Sequence, residues 1–213
     1  MQVEFSKGDF WRAFWAGELI ALLALPVLEN LSLLEALGGA FARRALVAAW
    51  LLLMPFAAGF GLYLVYRVLA PRFPVAFQLG KYGIVGILNT FMSLGIFNFL
   101  ILISGVAVGL IVDGFAFIAF ALTVTNSFFW NKYWIFDVDD SARIKSEYIK
   151  FFSVSGTIAL FNLLLVHVWV NTLGAPSDFD PKLWANIIFV ITIPISFFGN
   201  YFGYRIFVFR ALR

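Results

Sequence analysis

The sequence predicts an all-α integral membrane protein, with a four-helix core made of two parallel two-helix repeats and an N-terminal hydrophobic hairpin before it. The first observation behind this prediction is composition, since 62% of the 213 residues are hydrophobic and only 13% are charged. The second is that the apolar residues fall in long runs, and a bilayer core needs roughly 20 such residues per helix. A soluble domain would leave these runs without a place to be buried. The third is a two-helix pattern that occurs twice in the last four segments.

Six apolar segments are candidates for membrane helices. They cover residues 10–28, 45–69, 82–104, 114–133, 151–173 and 183–204. The first contains Arg12, Glu18 and Pro26, so it either spans the membrane or lies in the interface as an amphipathic helix. We therefore divide the chain into an N-terminal hydrophobic extension of one or two helices, residues 1–74, and a four-helix transmembrane domain, residues 75–213.

Basic residues predict the orientation, because Lys and Arg are enriched in the cytoplasmic loops of membrane proteins. If the third segment starts inside, the cytoplasmic set is Arg67, Arg72, Lys81, Lys132, Arg143, Lys145, Lys150, Arg205, Arg210 and Arg213. Lys182 is then the sole basic residue on the far side of the last four segments. If the first segment also spans, both termini are cytoplasmic, and Arg43 and Arg44 are the main exceptions.

The last four segments repeat after 73 positions without a gap, so that Asn89 matches Asn162 and Lys132 matches Arg205. Further matches pair Gly83 with Gly156, Gly86 with Ala159, Thr123 with Ser196, Ser127 with Asn200, Asn131 with Tyr204 and Phe136 with Phe209. Two helices per copy mean that both copies cross the membrane in the same direction, which predicts parallel repeats. The alternative is a duplication with no transport role, in which the glycines serve only close helix packing.

Polar side chains form stripes on the predicted helices, because residues spaced four apart share one helix face. The stripes are Asn89 and Ser93, then Thr123, Ser127 and Asn131, then Thr192, Ser196, Asn200 and Tyr204, and further amides are Asn126 and Asn162. Amides that face lipid without partners are costly, so we expect these to face the bundle interior. One interpretation is hydrogen bonding between helices. The other is a polar, partly hydrated pathway, which Lys132 and Arg205 at the stripe ends favour.

Signals for catalysis are weak. The chain has no cysteine, and its single histidine, His167, cannot form a metal cluster alone. We find no phosphate-binding loop and no hydrolase motif, so we predict no catalytic residue, metal site or cofactor and expect a protein that is not an enzyme. Asp137, Asp139 and Asp140 superficially resemble the metal-binding carboxylates of sugar-nucleotide glycosyltransferases, but no βαβ unit surrounds them. The net charge of +3 reflects juxtamembrane basic residues, so no nucleic-acid partner is expected.

Several segments together resemble the signatures of GtrA-like proteins. These are the run from Lys81 to Thr90, the run from Asn126 to Phe136, the run from Phe151 to Gly156 with Asn162, and Trp184 to Asn186 followed by Gly199 to Phe209. The resemblance covers the whole four-helix core, from about Phe77 to Phe209. The hairpin before Arg72 is an addition to the minimal pattern of that family.

The resemblance implies translocation, or flipping, of polyprenyl-phosphate-linked monosaccharides across the cytoplasmic (inner) membrane, for synthesis or modification of cell-surface polysaccharides. On this hypothesis Lys132 and Arg205 attract the phosphate, because one cation at the end of each stripe suits that anion. The predicted partners of the sugar hydroxyls are Asn89, Asn126, Asn131, Asn162 and Asn200, and Ser93, Ser127 and Tyr204 complete the predicted substrate-binding set.

The expected partners are the polyprenyl-phosphate-linked sugar lipid, membrane lipids and, as an open option, a membrane glycosyltransferase. A homodimer is also open, since four core helices form only a small pathway. Two other functions remain as alternatives: a scaffold subunit for a glycosyltransferase that transports nothing, and a small multidrug-type exporter. The exporter needs a membrane carboxylate, and Glu18 is the only one we can name, outside the core. The sequence does not identify the sugar, the prenyl carrier or the energy source.

Overall fold

A computed structural model describes residues 4–31, 39–139, 141–177 and 181–209. Of these residues 87% are helical, and none of them lies in a strand. The α-helices of this part of the chain are α1 (Lys7–Asn30), α2 (Ala40–Val68), α3 (Pro74–Ser104), α4 (Leu110–Trp130), α5 (Ile144–Val166) and α6 (Pro181–Gly203). A short 3-10 helix, Ser141–Arg143, precedes α5.

Five helical stretches in the described residues are long and apolar enough to cross a membrane. They are Lys7–Asn30, Ala40–Val68, Pro74–Ser104, Leu110–Ile135 and Ile144–Thr172. The predicted class is therefore confirmed, and the chain is an all-α, multi-pass integral membrane protein. The first helix, which the sequence left undecided, is 24 residues long and has the length and composition of a span.

Three helices end in a π-helical turn, in which the backbone bonds reach five residues along the chain instead of four. The first turn is Asn131–Ile135 after α4, the second is His167–Thr172 after α5, and the third is Tyr204–Val208 after α6. The first and third occupy matching positions of the 73-residue repeat. Each closes with the same bond, from Phe136 N–H to the Asn131 carbonyl at 2.9 Å and from Phe209 N–H to the Tyr204 carbonyl at 2.8 Å. This agreement in backbone geometry supports the duplication of the two-helix unit.

The chain divides into two compact units, Met1–Asp137 and Val138–Arg213. In the first unit, α1 contacts both α2 and α3, and α3 contacts α4. The two ends of α1 are fixed to α3, because Asp9 forms an ion pair with Lys81 and the Asn30 amide donates to the Asn98 carbonyl at 2.9 Å. The N-terminal helix therefore runs alongside α3 in the same direction. The domain division at residue 74 stays a prediction.

Small residues let α1 approach its neighbours. Ala13, Ala16 and Ala21 are fully buried, and a Cβ added at Gly17 would lie 2.7 Å from the Met54 carbonyl oxygen of α2. By contrast, a Cβ at Gly83 would meet no atom within 4 Å of it among the described residues, and the same holds at Gly86. Close packing therefore does not account for these two repeat glycines in this structure.

The second unit is built on α5 and α6, which contact each other. A Cβ at Gly199 would lie 2.8 Å from the Ile158 side chain, so this glycine allows close approach of the two helices. At the end of α6, the Tyr204 ring stacks on Phe151 with a centroid separation of 4.0 Å. The Tyr204 and Ser155 hydroxyls lie 2.7 Å apart, which closes the pair with a hydrogen bond.

Candidate functional site

A connected series of amides and hydroxyls joins α3 to α4 in the first unit. The Asn89 amide donates to the Ser127 hydroxyl at 2.8 Å, and the Asn126 amide donates to the Asn89 side-chain oxygen at 3.3 Å. The Trp130 indole N–H donates to the Asn126 oxygen at 3.1 Å. The Asn131 amide donates to the Ser127 carbonyl at 2.7 Å and lies 3.4 Å from its hydroxyl. We call these five residues the α3–α4 polar cluster, and the stripe predicted on α4 supplies two of them.

Two acceptors on the α4 stripe have no hydrogen-bond partner among the described residues. They are the side-chain oxygen of Asn131, a residue that is only 1% exposed, and the hydroxyl oxygen of Thr123. A buried polar atom without a partner is costly, by about 1–3 kcal/mol.

The second unit repeats this chemistry with one difference. The Asn162 amide donates to the Ser196 hydroxyl at 2.5 Å, as Asn89 does to Ser127 in the first unit. In the repeat, however, Ser127 matches Asn200, which lies one helical turn beyond Ser196. The two copies therefore make the same type of bond one turn apart. The side-chain oxygens of Asn162 and Asn200 have no partner within the described part of the chain.

The two predicted phosphate-binding cations differ in exposure. Lys132 has no exposed surface, and its ammonium lies 5.6 Å from the ring centroid of Tyr133. Arg205 is exposed and occupies the matching position in the third π-helical turn. The predicted binding role of Lys132 and Arg205 stays a prediction, and Lys132 is not accessible to a ligand in this conformation.

The remaining predicted residues are spread along the helices. Ser93 is half-buried on α3 and makes no hydrogen bond to another described residue. Tyr204 is buried, and Ser155 and Phe151 hold its side chain in place.

Four residues were considered for other chemistry: His167, Asp137, Asp139 and Asp140. His167 is exposed and begins the second π-helical turn, with its Nδ1 3.4 Å from the Asn171 amide. Asp137 has a positive φ of 52°, and Asp139 is exposed, while Asp140 lies outside the described residues. No group of three or more His, Cys, Asp or Glu side chains in the described chain could hold a metal ion.

Sequence reasoning missed a charged cluster at the start of α1. The Asp9 carboxylate forms an ion pair with Lys81 and accepts a hydrogen bond from the Trp134 indole N–H at 2.9 Å. Ser6 caps the helix, since Asp9 N–H donates to its hydroxyl at 3.0 Å and the Asp9 carboxylate accepts in return from Ser6 N–H. The Lys81 ammonium also lies 4.6 Å from the Phe77 ring centroid. The spacing of Ser6 and Asp9 is a signal for the helix cap. No signal in the sequence points to Lys81, the ion-pair partner of Asp9 72 positions later.

A groove of about 260 Å³ opens beside this cluster. We call it the Arg12 groove, and its lining residues are Arg12, Asn126, Phe129, Trp130, Tyr133 and Trp134. Arg12 is exposed and makes no ion pair with another described residue. From the sequence, Arg12 was a charge that made the first span less secure and, if that segment spans, a cytoplasmic residue together with Lys7. Its position beside the α3–α4 polar cluster depends on the packing of α1 against α3, which no local pattern indicates.

Comparison with known families gives one match. The family described as GtrA/DPMS, transmembrane domain matches residues 81–209, which is more than half of the chain. No curated protein and no solved structure matches the chain.

Proposed function

Because the chain belongs to the GtrA/DPMS transmembrane-domain family, we propose that it flips a polyprenyl-phosphate-linked monosaccharide across the cytoplasmic membrane. Membership of the family identifies a membrane protein in the processing of sugars on glycosyl carrier lipids. The flipped lipid would supply synthesis or modification of cell-surface polysaccharides. Its prenyl tail can stay in the bilayer, so only the sugar and the phosphate need a polar route.

The observation that carries the proposal is the α3–α4 polar cluster. Sugar hydroxyls both donate and accept hydrogen bonds, as do the amides of Asn89 and Asn126. These amides already form a connected series of hydrogen bonds inside the helix bundle. A sugar hydroxyl can therefore replace one of the existing partners, and its polar groups need not face the hydrocarbon without a hydrogen bond. The unpartnered oxygen of Asn131 adds an acceptor that a hydroxyl could satisfy.

The two predicted cations differ in exposure, and we propose that they therefore bind the phosphate at different stages. Arg205 can meet a phosphate directly, because its side chain is exposed. Lys132 is fully buried, so it would reach a phosphate only after the first π-helical turn rearranges. We retain both residues as phosphate-binding groups, acting in different conformations.

Topology and partners belong to the same proposal. The distribution of Lys and Arg favours cytoplasmic termini, which puts the Arg12 groove and Arg205 on the side where the lipid-linked sugar is made. A membrane glycosyltransferase is the proposed source of this lipid. A homodimer is proposed as one assembly state, because a larger bundle would enclose more of the head group.

A reconstitution experiment tests the function. The purified full chain is placed in vesicles that contain glucosyl phosphoryl farnesol with a fluorescent label on the sugar, and a membrane-impermeant quencher reports the label in the outer leaflet. We expect the quenched fraction to rise from about half to nearly all of the label in vesicles with protein, and to stay at half in vesicles without it. Equal quenching in both would reject flipping and leave the scaffold function as the better explanation.

The exporter alternative is examined in the same vesicles. Ethidium release driven by a proton gradient would indicate the multidrug type, and we expect none beyond the rate of empty vesicles. The structure puts two carboxylates inside core helices, Asp113 in the first turn of α4 and Glu147 in the first turn of α5. Both lie at helix ends, and the core sequence has no carboxylate midway along a span to exchange protons for a cation.

A further inference from the structure

The Arg12 groove offers a matching group for each of the three parts of a phosphate-linked sugar, which are the anionic phosphate, the hydroxyls and the apolar ring face. Arg12 supplies a cation, the Asn126 amide supplies hydrogen-bonding groups, and Trp130 and Tyr133 supply aromatic surface. Aromatic rings with a polar edge are suited to the amphipathic faces of a sugar ring. The volume of about 260 Å³ lies below the range of about 300–1,000 Å³ that encloses drug-sized ligands, and it suits a single head group.

The charge of Arg12 is available to a ligand. Asp9 lies three positions before it on α1, but the Asp9 carboxylate is already bound to Lys81, the Trp134 indole and Ser6. The opposite charge nearest in sequence is therefore neutralised by a lysine from α3. Arg12 itself is exposed and forms no ion pair in the described part of the chain.

The aromatic wall of the groove is fixed in place. Trp134 is only 3% exposed, and its indole N–H is bound to Asp9. Trp130 packs edge-on against Trp134 with ring centroids 5.2 Å apart and donates to Asn126. Tyr133 stacks on Phe129 with an interplanar angle of 5°. A ligand that enters the groove therefore meets rings that are already oriented, which lowers the entropy lost on binding.

The groove is continuous with the α3–α4 polar cluster. Asn126 lines the groove, and its amide group is also bonded to Asn89 and Trp130. A sugar bound to Asn126 would thus contact a side chain that is itself hydrogen-bonded to Asn89. The cation of α1 and the interior amides then serve as successive contacts for one head group.

We propose that the Arg12 groove is the initial binding site for the head group, and that Arg12 binds the phosphodiester while Trp130 and Tyr133 face the sugar. The assignment rests on the proposed function for its ligand class. It gives the N-terminal hairpin, which lies before the matched residues 81–209, a direct part in substrate binding. The guanidinium can make two parallel hydrogen bonds to phosphate oxygens, which an ammonium cannot.

A charge series at one position tests the assignment. The variants are R12K, R12Q and R12E, and R44Q is the matched control, because Arg44 is an exposed arginine of α2 that does not line the groove. Binding to the detergent-purified full chain is measured with unlabelled glucosyl phosphoryl farnesol and with farnesyl glucoside, which lacks the phosphate. Flipping of the labelled lipid is measured in vesicles for the same proteins.

We expect R12Q to weaken binding of the phosphate-containing lipid roughly tenfold and R12E to weaken it further, since charge-assisted bonds are the strong ones. R12K should keep part of the affinity, and R44Q should bind as the native chain does. Affinity for farnesyl glucoside should be equal in the native chain and R12Q. Flipping should fall in the same order as binding.

The possible failures separate the two proposals. If the native chain flips the lipid, and R12Q binds and flips it as well as the native chain does, the Arg12 assignment is overturned and the proposed function stays in place. No flipping by the native chain, with binding that still depends on Arg12, rejects the function and keeps the phosphate site. A native chain that binds both lipids equally, or neither, overturns the assignment outright. Circular dichroism of each variant excludes loss of fold as the cause of weak binding.

Discussion

The carboxylate of Asp9 and the ammonium of Lys81 form an ion pair that joins the first turn of α1 to α3. Both side chains are largely buried, with exposed fractions of 7% for Asp9 and 14% for Lys81. Lys81 is also the first residue of the family match. The N-terminal hairpin is thus bonded directly to the first residue of the family domain, and the contribution of this ion pair to stability can be measured.

Replacing Asp9 with Asn should destabilise the protein by about 3 kcal/mol, because removal of one partner leaves the other charge buried without compensation. Thermal unfolding of the detergent-purified chain measures the loss. E4Q is the control, since Glu4 is exposed and precedes the helix. A combined D9N/K81Q variant should recover part of the loss. If D9N unfolds at the same temperature as the native chain, the ion pair contributes nothing to stability.

Replacing Asn89 with Ala should separate packing from transport. The change removes the bonds to Ser127 and Asn126, and hydrogen bonds between membrane helices contribute about 0.6–2 kcal/mol each. We expect a stability loss of about 1–4 kcal/mol for the two bonds together, and a fall in flipping of roughly tenfold. T90A is the control, because the Thr90 hydroxyl bonds only to the Gly86 carbonyl of its own helix.

Stability measured beside transport identifies the role of Asn89. If N89A lowers stability but flips the lipid at the native rate, the amide serves only to hold the helices together. N162A offers the corresponding test in the second unit, where it breaks the bond to Ser196.

Replacing Arg205 with Ala should reduce flipping while the unfolding temperature stays near that of the native chain, because the side chain is exposed. Replacing Lys132 with Ala should lower both, because Lys132 is fully buried. K150A, which removes an exposed lysine of α5, should change neither quantity. Flipping is followed by the quenching assay and stability by thermal unfolding. Native flipping in both R205A and K132A would remove these two residues from the phosphate pathway.

Replacing Gly17 with Ala should push α1 away from α2. The added Cβ would lie 2.7 Å from the Met54 carbonyl oxygen and 2.8 Å from Pro55 Cα, and backbone atoms cannot rotate out of the way. We expect a loss of about 1–3 kcal/mol in unfolding experiments. G61A is the matched control in α2, since a Cβ there meets nothing within 4 Å among the described residues. Equal stability of G17A and G61A would contradict the close contact of the two helices.

The sequence predicted the helices and their repeat well, because membrane spans depend on long apolar runs that are local in the chain. The bounds were less accurate. The third segment was predicted to begin at residue 82, whereas α3 begins at Pro74, which suits the first turn of a helix because it has no N–H to lose. The predicted stripe on α4 was also informative, since Ser127 and Asn131 belong to the observed polar cluster.

Long-range partners could not be predicted in the same way. The bond between Asp9 and Trp134 joins residues 125 positions apart, and hydropathy carries no information about which helices become neighbours. The burial of Lys132 was missed for a related reason. A basic residue at the end of an apolar run is typical of the membrane surface. The spacing of apolar residues along the chain does not indicate the π-helical turn in which Lys132 lies.

The first and third π-helical turns also bear on the history of the gene. They lie 73 residues apart and close with the same bond to a phenylalanine, Phe136 in one copy and Phe209 in the other. A π turn is a rare interruption of an α-helix, and the second turn, His167–Thr172, has no counterpart at residues 94–99 of α3. One ancestral hairpin that already ended in this turn accounts for both. On that account the matched turn came before the duplication, whereas the second π turn and the difference between lysine and arginine arose after it.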